Sequence, residues 1–502
     1  MTQIPLAYGS SDRRVGDFPA LISRNVFAEA PASDPKSMAL VGRAGLEAFS
    51  TAGGGPIRAV FQRAGLFDGD ALILSGQTLY RVSENASVTA FTGTVAGTSR
   101  VSMDAGPDGA GLSELRIATG TEIYLASGTS VAAEAFPDSA GVTAVLYIRG
   151  FWIAIRADTQ VLYSRVPGDL VWDAITFTSA EYEPDKAVGL ARLGDTVLVF
   201  GETSLEPFAL TGNATNPIEP YGGSAQDVGC RARDTIVNLA DGVFAVGDDS
   251  AVYKFTPSPK LVSDNALSER IRLSDPTNLR AWGFRQDQHA FYVLSLGPET
   301  WVYDDSNGLW NPWASLSYDY FRAHLGTEVS GRVICADSMT NSGQLWRMTP
   351  EKLTDDGDEV ERIVTAYYPL PEGHTVCASI VLESARGKAP LTGQGSDPLV
   401  GMRYSDDLGH TWQPWRFRTL GAAGRYSDIA RWNGNGTIRA PGRMFQLKAT
   451  DPTVIRFSKL LMNVPDGGRY RGAVLGVGAF TITLNGQNVT LNGQPITLTQ
   501  AH

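Results

Sequence analysis

Cysteine and histidine are scarce in this chain of 502 residues, with three of the first and five of the second. Cys230, Cys335 and Cys377 are far apart and odd in number, and no C-x-x-C spacing occurs. That excludes a disulfide scaffold and a zinc ribbon, and predicts buried free thiols in a chain made in a reducing cytoplasm. His289, His324, His374, His410 and His502 show no i, i+4 or H-x-H spacing, so no metal site is predicted. No apolar run reaches the ~18 residues of a membrane-spanning helix. Met1-Thr2-Gln3-Ile4-Pro5 lacks the basic-then-apolar order of a cleaved signal peptide, so none is expected. Basic residues are also outnumbered, 42 Lys and Arg against 53 Asp and Glu, for a net charge of −11. Wrapping nucleic acid needs clustered cations, so that function is excluded, although DNA could still pass by without being gripped. There is no G-x-S-x-G elbow, P-loop or dinucleotide fingerprint, and no cofactor is predicted.

What the chain has is glycine (54), proline (27) and short β-branched runs. With few long amphipathic stretches, this composition predicts an all-β fold rich in turns. From about residue 57 a hairpin unit recurs at roughly 40–45 residues. Its members include Ala71–Leu74 with Thr78–Val82, Glu114–Ala118 with Glu122–Leu125, and Phe151–Ile155 with Val161–Ser164. Val197–Phe200 with Leu205–Phe208, Gly242–Val246 with Ala251–Phe255, and Phe291–Leu294 with Thr300–Tyr303 continue the series. A further unit is expected at Arg332–Cys335 with Gln344–Arg347. Strand, short turn and strand ending in an aromatic, at this period, predict a six- or seven-bladed β-propeller over 57–370. An extended β-sandwich pair is the alternative. Four regions follow: an extended, irregular N-terminal arm over 1–56, the propeller over 57–370, a β-sandwich over 371–478, and a three-stranded β-meander over 479–502.

The meander rests on Asn485-Gly486 and Asn492-Gly493, which suit type I′ turns. Three short strands are too small to stand alone and leave open edges. Phe480, Ile482, Leu484, Val489, Leu491, Ile496 and Leu498 are therefore candidate contacts, either with the chain's own sandwich or with another subunit. Ser405, Asp407, Gly409, Thr411 and Trp412 complete an Asp-box, S-x-D-x-G-x-T-W. Asp407 is expected to bind the backbone of its own turn, Gly409 to allow the bend, and Trp412 to pack beneath. A glycosidase needs two carboxylates at fixed separation. The acidic pairs Asp248-Asp249, Asp304-Asp305 and Asp355-Asp356 fall in expected hairpin loops, and no catalytic residue is predicted among them. Arg13-Arg14 and Arg231 to Arg233 are small basic clusters, with solvated charge as the default and contact with an acidic neighbour or a DNA end as the other reading.

Residues 189–213, and above all Gly201-Glu202-Thr203-Ser204-Leu205-Glu206-Pro207-Phe208, resemble the packaged-DNA stabilisation proteins, the tail hub or nozzle family of short-tailed bacteriophages. Ile4 to Ser10, Arg24 to Glu29, Arg43 to Phe49 and Gly76 to Val82 are similar to that family in order and spacing, with Ala44 where the family has proline. Thr300 to Asp304 followed by Trp310 matches in kind. The resemblance implies a non-enzymatic virion protein, made in the host cytoplasm. It implies a ring, a hexamer, below the portal and adaptor, which closes the DNA exit channel, stabilises packaged DNA and anchors spike, fibre or needle proteins. The second reading, from the Asp-box and ten tryptophans, is a carbohydrate-binding or glycosidase-like propeller. Tryptophans exposed in a pocket would favour it, and tryptophans buried between blades would not.

Overall fold

The computed structural model describes all residues except 12–19, 31–37, 167–168, 170, 214–215, 465–468, 471–479, 482, 485–486, 489, 492–493, 496 and 499–502. Seven blades account for most of it, six of them four-stranded antiparallel sheets and the seventh part of a six-stranded sheet. Blades 1 to 6 span residues 57–90, 102–134, 142–179, 187–220, 237–261 and 280–313. Blade 7 combines 325–349 with a strand from far upstream, Gly45–Thr51, which pairs with Gln344–Thr349 and carries the short strands Thr354–Asp355 and Asp358–Glu359 on its other side. The fold is a β-propeller, and blade 7 completes it.

Each blade is built from the hairpins legible in the sequence. Their second strands are apolar nearly throughout, as in Ala71–Ser75 and Gly242–Val246, because a blade is covered by a neighbour on both faces. Among the described residues, seven apolar clusters fill the seven spaces between blades. Leu146, Ile153, Val199 and Phe208, for example, close blade 3 on blade 4. Ile57, Ile73, Ile334 and Leu345 close blade 7 on blade 1. The G-E-T-S turn of blade 4 is fixed from outside, since the Asp185 carboxylate accepts from Thr203 N at 2.6 Å and Ser204 N at 3.1 Å. The nine-residue helix Asn265–Leu273 turns Leu267 and Ile271 into the space between blades 5 and 6.

An eighth cluster is the core of a β-sandwich. One sheet has the order Arg362–Pro369, Gly442–Ala449, Leu399–Ser405, Arg416–Thr419. The facing sheet runs Val26–Glu29, Ala39–Gly42, Arg456–Asn463, Ser379–Ser384, Arg431–Asn433, with Thr2–Ile4 also on Arg456–Asn463. The N-terminal region thus departs from the expected arm. Three of its strands belong to the sandwich and a fourth to blade 7. Its prolines break local periodicity, but three of its four strands pair with residues about 300 or more positions away, a partnership no local pattern reveals. The C-terminal part of the sandwich likewise begins at Arg362, before the Pro369–Gly373 linker signal, because that signal marks only a turn.

All three cysteines are buried and free. Burial pushes the thiols of Cys230 and Cys377 up to about 12 and about 11.

Candidate functional site

Where propeller and sandwich meet, the N-terminal segment acts as a clasp. Asn25, buried with φ +58°, is its centre. Its side-chain amide donates to Glu361 O at 2.8 Å, and its Oδ1 accepts from Ala314 N at 2.8 Å and Arg43 Nε at 2.9 Å. Arg43, 1% exposed, forms a two-point pair with Asp355 at 2.8 and 2.6 Å and donates to Ala44 O and Ala314 O. Phe321 lies under its guanidinium at 4.4 Å. Ser315 Oγ donates to Asp355 Oδ2 at 2.9 Å. One buried ion pair therefore joins blades 6 and 7 to the clasp with nearly every donor used. Phe27 reaches into the core between blades 6 and 7, edge-on to His289 and Phe291. Gly45 follows because its backbone passes so close to Thr354 O that a Cβ would stand 2.2 Å away.

The acidic pairs are taken up by such contacts. Asp355 is the Arg43 partner. Asp304 accepts from Asn307 Nδ2 at 2.7 Å and lies 2.7 Å from His289 Nδ1, and Asp305 accepts from Lys254 at 2.8 Å. Asp304 and Asp355 are buried at strand ends rather than in open hairpin loops. Asp248 and Asp249 accept from Gly229 N and from Ala251 N and Tyr253 Oη. Among the described residues no group of three His, Cys, Asp or Glu is placed to hold a metal ion, and no helix is long and apolar enough to cross a membrane.

The Asp-box lies in the sandwich, on the turn after Leu399–Ser405. Asp407 accepts from Thr411 N at 2.8 Å, Thr411 Oγ1 at 2.6 Å and Ser405 Oγ at 2.6 Å. Ser405 Oγ in turn accepts from Gly409 N at 2.9 Å. Gly409, at φ +89°, sits over Met444 and Trp412, whose atoms come within 3.2 and 3.6 Å of where a Cβ would stand. Trp412 and Trp415 flank the Arg403 guanidinium at 4.7 and 4.4 Å. The hydrogen bonds, Ser405 first and then Thr411, hold the Asp407 carboxyl far below the ordinary range. A carboxyl depressed in the folded state adds stability that is complete above its unfolded pKa of about 4 and is lost as pH falls below it. Asp407→Asn should lower the melting temperature at pH 7, and the gap to the parent should narrow below about pH 4 in thermal denaturation followed at both pH values.

Eight of the ten tryptophans are buried, most of them between blades or in the sandwich core, and the other two stack on Arg403. None of this presents tryptophan in a carbohydrate pocket. At the C-terminal end Thr483–Leu484 pairs with Gln487–Asn488, and Thr490–Leu491 with Gln494–Pro495. Phe480 and Thr481 also pair with Leu498 and Thr497, so the first and last strands meet, where an open meander was expected. Ile482, Val489 and Ile496 lie outside the described residues, as do Arg13 and Arg14.

Sequence reasoning missed a constellation on the propeller axis. A cavity of about 300 Å³ is lined by the innermost strands of the blades. Arg58, Arg100, Arg192, Arg233 and Arg280 converge on it, against the two carboxylates Asp104 and Asp234. Arg100 and Arg233 share Asp234, each at 3.0 Å. Arg58 donates to four backbone carbonyls, Arg192 to Tyr147 O, and Arg280 to Ser338 Oγ and Met339 Sδ. Burial, then the nearby Arg100 charge, drops Arg280 to about 10. Only the Arg231 to Arg233 cluster hinted at this. The other arginines come one per blade, too far apart in sequence to be seen as a group.

The architecture is that of a β-propeller protein carrying a second β domain. Residues 2–349 match the phage stabilisation family described as the bacteriophage P22 Gp10 β-propeller, and the chain belongs to that family. It is a phage structural protein. The match ends at the last residue of blade 7's third strand and takes in the whole clasp. No curated protein matches. Among solved structures the chain is similar to virginiamycin B lyase from Staphylococcus aureus, at 8% identity and TM-score 0.43, over 61% of this chain and 98% of that one. It is also similar to BamB from Moraxella catarrhalis, at 11% identity and TM-score 0.33, over 58% and 95%. A third is the extracellular domain of a putative hybrid two-component system from B. thetaiotaomicron, at 10% identity and TM-score 0.42, over 86% and 62%. None of these likenesses is close enough to carry function to this chain.

Proposed function

We propose that this protein is a hub or nozzle subunit of a phage tail, assembled as a hexameric ring below the portal and adaptor. It closes the DNA exit channel, stabilises the packaged DNA and anchors spike, fibre or needle proteins. The observation that carries the reading is the family match across the clasp and all seven blades. A propeller locked to a sandwich by a buried ion pair suits a part that bears load without changing shape. Mechanism here is steric. Small burials repeated around a closed ring add up to a plug, and DNA passes through the opened channel without specific recognition. In this reading the protein is not an enzyme, and the Asp-box serves as a structural turn in the sandwich. The burial of most tryptophans speaks against the carbohydrate alternative.

Native mass spectrometry and negative-stain imaging of the purified chain with a portal–adaptor complex test the assembly. A six-fold ring capping the adaptor is expected, and a chain that stays monomeric beside the complex would refute it. Truncation before Phe480 is expected to leave the propeller and sandwich folded and to reduce ring formation. Rings and virion yield equal to the parent's would confine the C-terminal strands to contacts within the subunit.

A further inference from the structure

The axial arginines carry more charge than the fold needs. A closed propeller is stabilised between its blades, and the axis itself requires only small or polar fillers. Here five guanidinium groups face two carboxylates in the cavity, with a third, the buried Asp337 beside His324, behind Arg280, in a chain that is otherwise acidic. A buried cation normally finds a carboxylate, since an uncompensated one is costly to desolvate. Asp234 is already shared by Arg100 and Arg233, and Asp104 is claimed by Arg63 at 3.0 Å. Arg280 is 6% exposed, its Nε has no hydrogen-bond partner, and its other donors meet only a hydroxyl and a thioether. Arg192, on the innermost strand of blade 4, donates only to a carbonyl. The space before these groups, about 300 Å³, lies at the lower end of the range for small-molecule sites, far too narrow to admit a DNA duplex.

We propose that the propeller axis binds a small, free, multivalent phosphate anion, which neutralises the excess guanidinium charge and ties the innermost strands of different blades together. Planar guanidinium forks arranged around a point match tetrahedral phosphate oxygens, and several can be satisfied at once. The inference stands on the propeller axis alone and is independent of the ring reading. Loss of assembly would leave it intact, and loss of anion binding would leave the assembly intact.

The test uses the full chain and pyrophosphate, followed by calorimetry and thermal denaturation at matched ionic strength. One site per chain and a melting temperature that climbs with ligand concentration are expected. Sodium chloride of equal ionic strength should not reproduce the rise. Arg280→Met should weaken binding about tenfold or more, while leaving the ligand-free melting temperature unchanged or higher, because it removes a buried cation that no carboxylate hydrogen-bonds. Should that variant not fold, Arg192→Gln stands in for it with the same expected loss of affinity. Arg425→Ala, an exposed change in the sandwich, should bind like the parent. No saturable binding at millimolar pyrophosphate, or parent-like affinity after the axial substitution, overturns the proposal. So does displacement of pyrophosphate by a 5′-phosphorylated single-stranded oligonucleotide, which would assign the site to a DNA end instead of a free anion.

Discussion

A chain lacking residues 1–51 is expected not to reach the folded state of the parent. The deletion removes an interior strand of blade 7's sheet, leaves Gln344–Thr349 as a bare edge and cuts Thr354–Asp355 off from the blade. It also strips three strands from the sandwich and uncovers its core, where Ile4, Val26 and Leu40 are fully buried. Leu6, Phe27 and Leu46 are lost with them. Each such side chain contributes about 1.5–3 kcal/mol through burial. Six of them together rival the about 5–15 kcal/mol by which a typical domain is stable. Near-ultraviolet circular dichroism should show no fixed aromatic environment, and limited proteolysis should cut between blades. A soluble, protease-resistant product with one cooperative transition would refute the clasp as an obligatory part.

The second large effect belongs to the Arg43–Asp355 pair. Arg43→Ala removes five hydrogen bonds and leaves a carboxylate, 0% exposed, with Ser315 as its remaining side-chain donor. Breaking one side of a buried pair costs about 3–5 kcal/mol. A chain of this size need not unfold in two states, so the effect is best read as a lower denaturant midpoint for the propeller transition. The double change Arg43→Met with Asp355→Leu should recover part of the loss, because the Asp355 carboxylate is then no longer buried without its partner. A midpoint unchanged by Arg43→Ala would show that solvent reaches the pair.

The propeller was legible because each blade is local. Ala71–Ser75 and Thr78–Val82 pair across a two-residue turn, so apolar pattern and turn chemistry lie side by side in the sequence. The Asp-box was legible for the same reason, since Ser405, Asp407, Gly409 and Thr411 satisfy one another within a single turn. Blade 7 was harder, because its fourth strand, Gly45–Thr51, comes from the other end of the propeller sequence. Resemblance drew attention to Asn25 and to the stretch from Arg43, yet gave no hint that they clamp two domains together. That role depends on Glu361, Ala314 and Asp355, which only the folded chain brings near. The axial arginines were hidden by the regularity of the repeat, which spaces them too widely to register as a charge cluster.

The clasp also sets a timetable for biogenesis. The first fifty residues leave the ribosome well before their partners in Gln344–Thr349 and Arg456–Asn463, about 300 and 450 positions further along. Until those partners emerge the growing chain therefore carries unpaired N-terminal strands and a run of blades with no closure. Bare edges of this kind invite pairing with other nascent chains, which makes the interval before release the period of greatest aggregation risk. Chaperone demand should accordingly persist until two docking events are over, the closure of blade 7 on Gln344–Thr349 and then that of the sandwich on Arg456–Asn463.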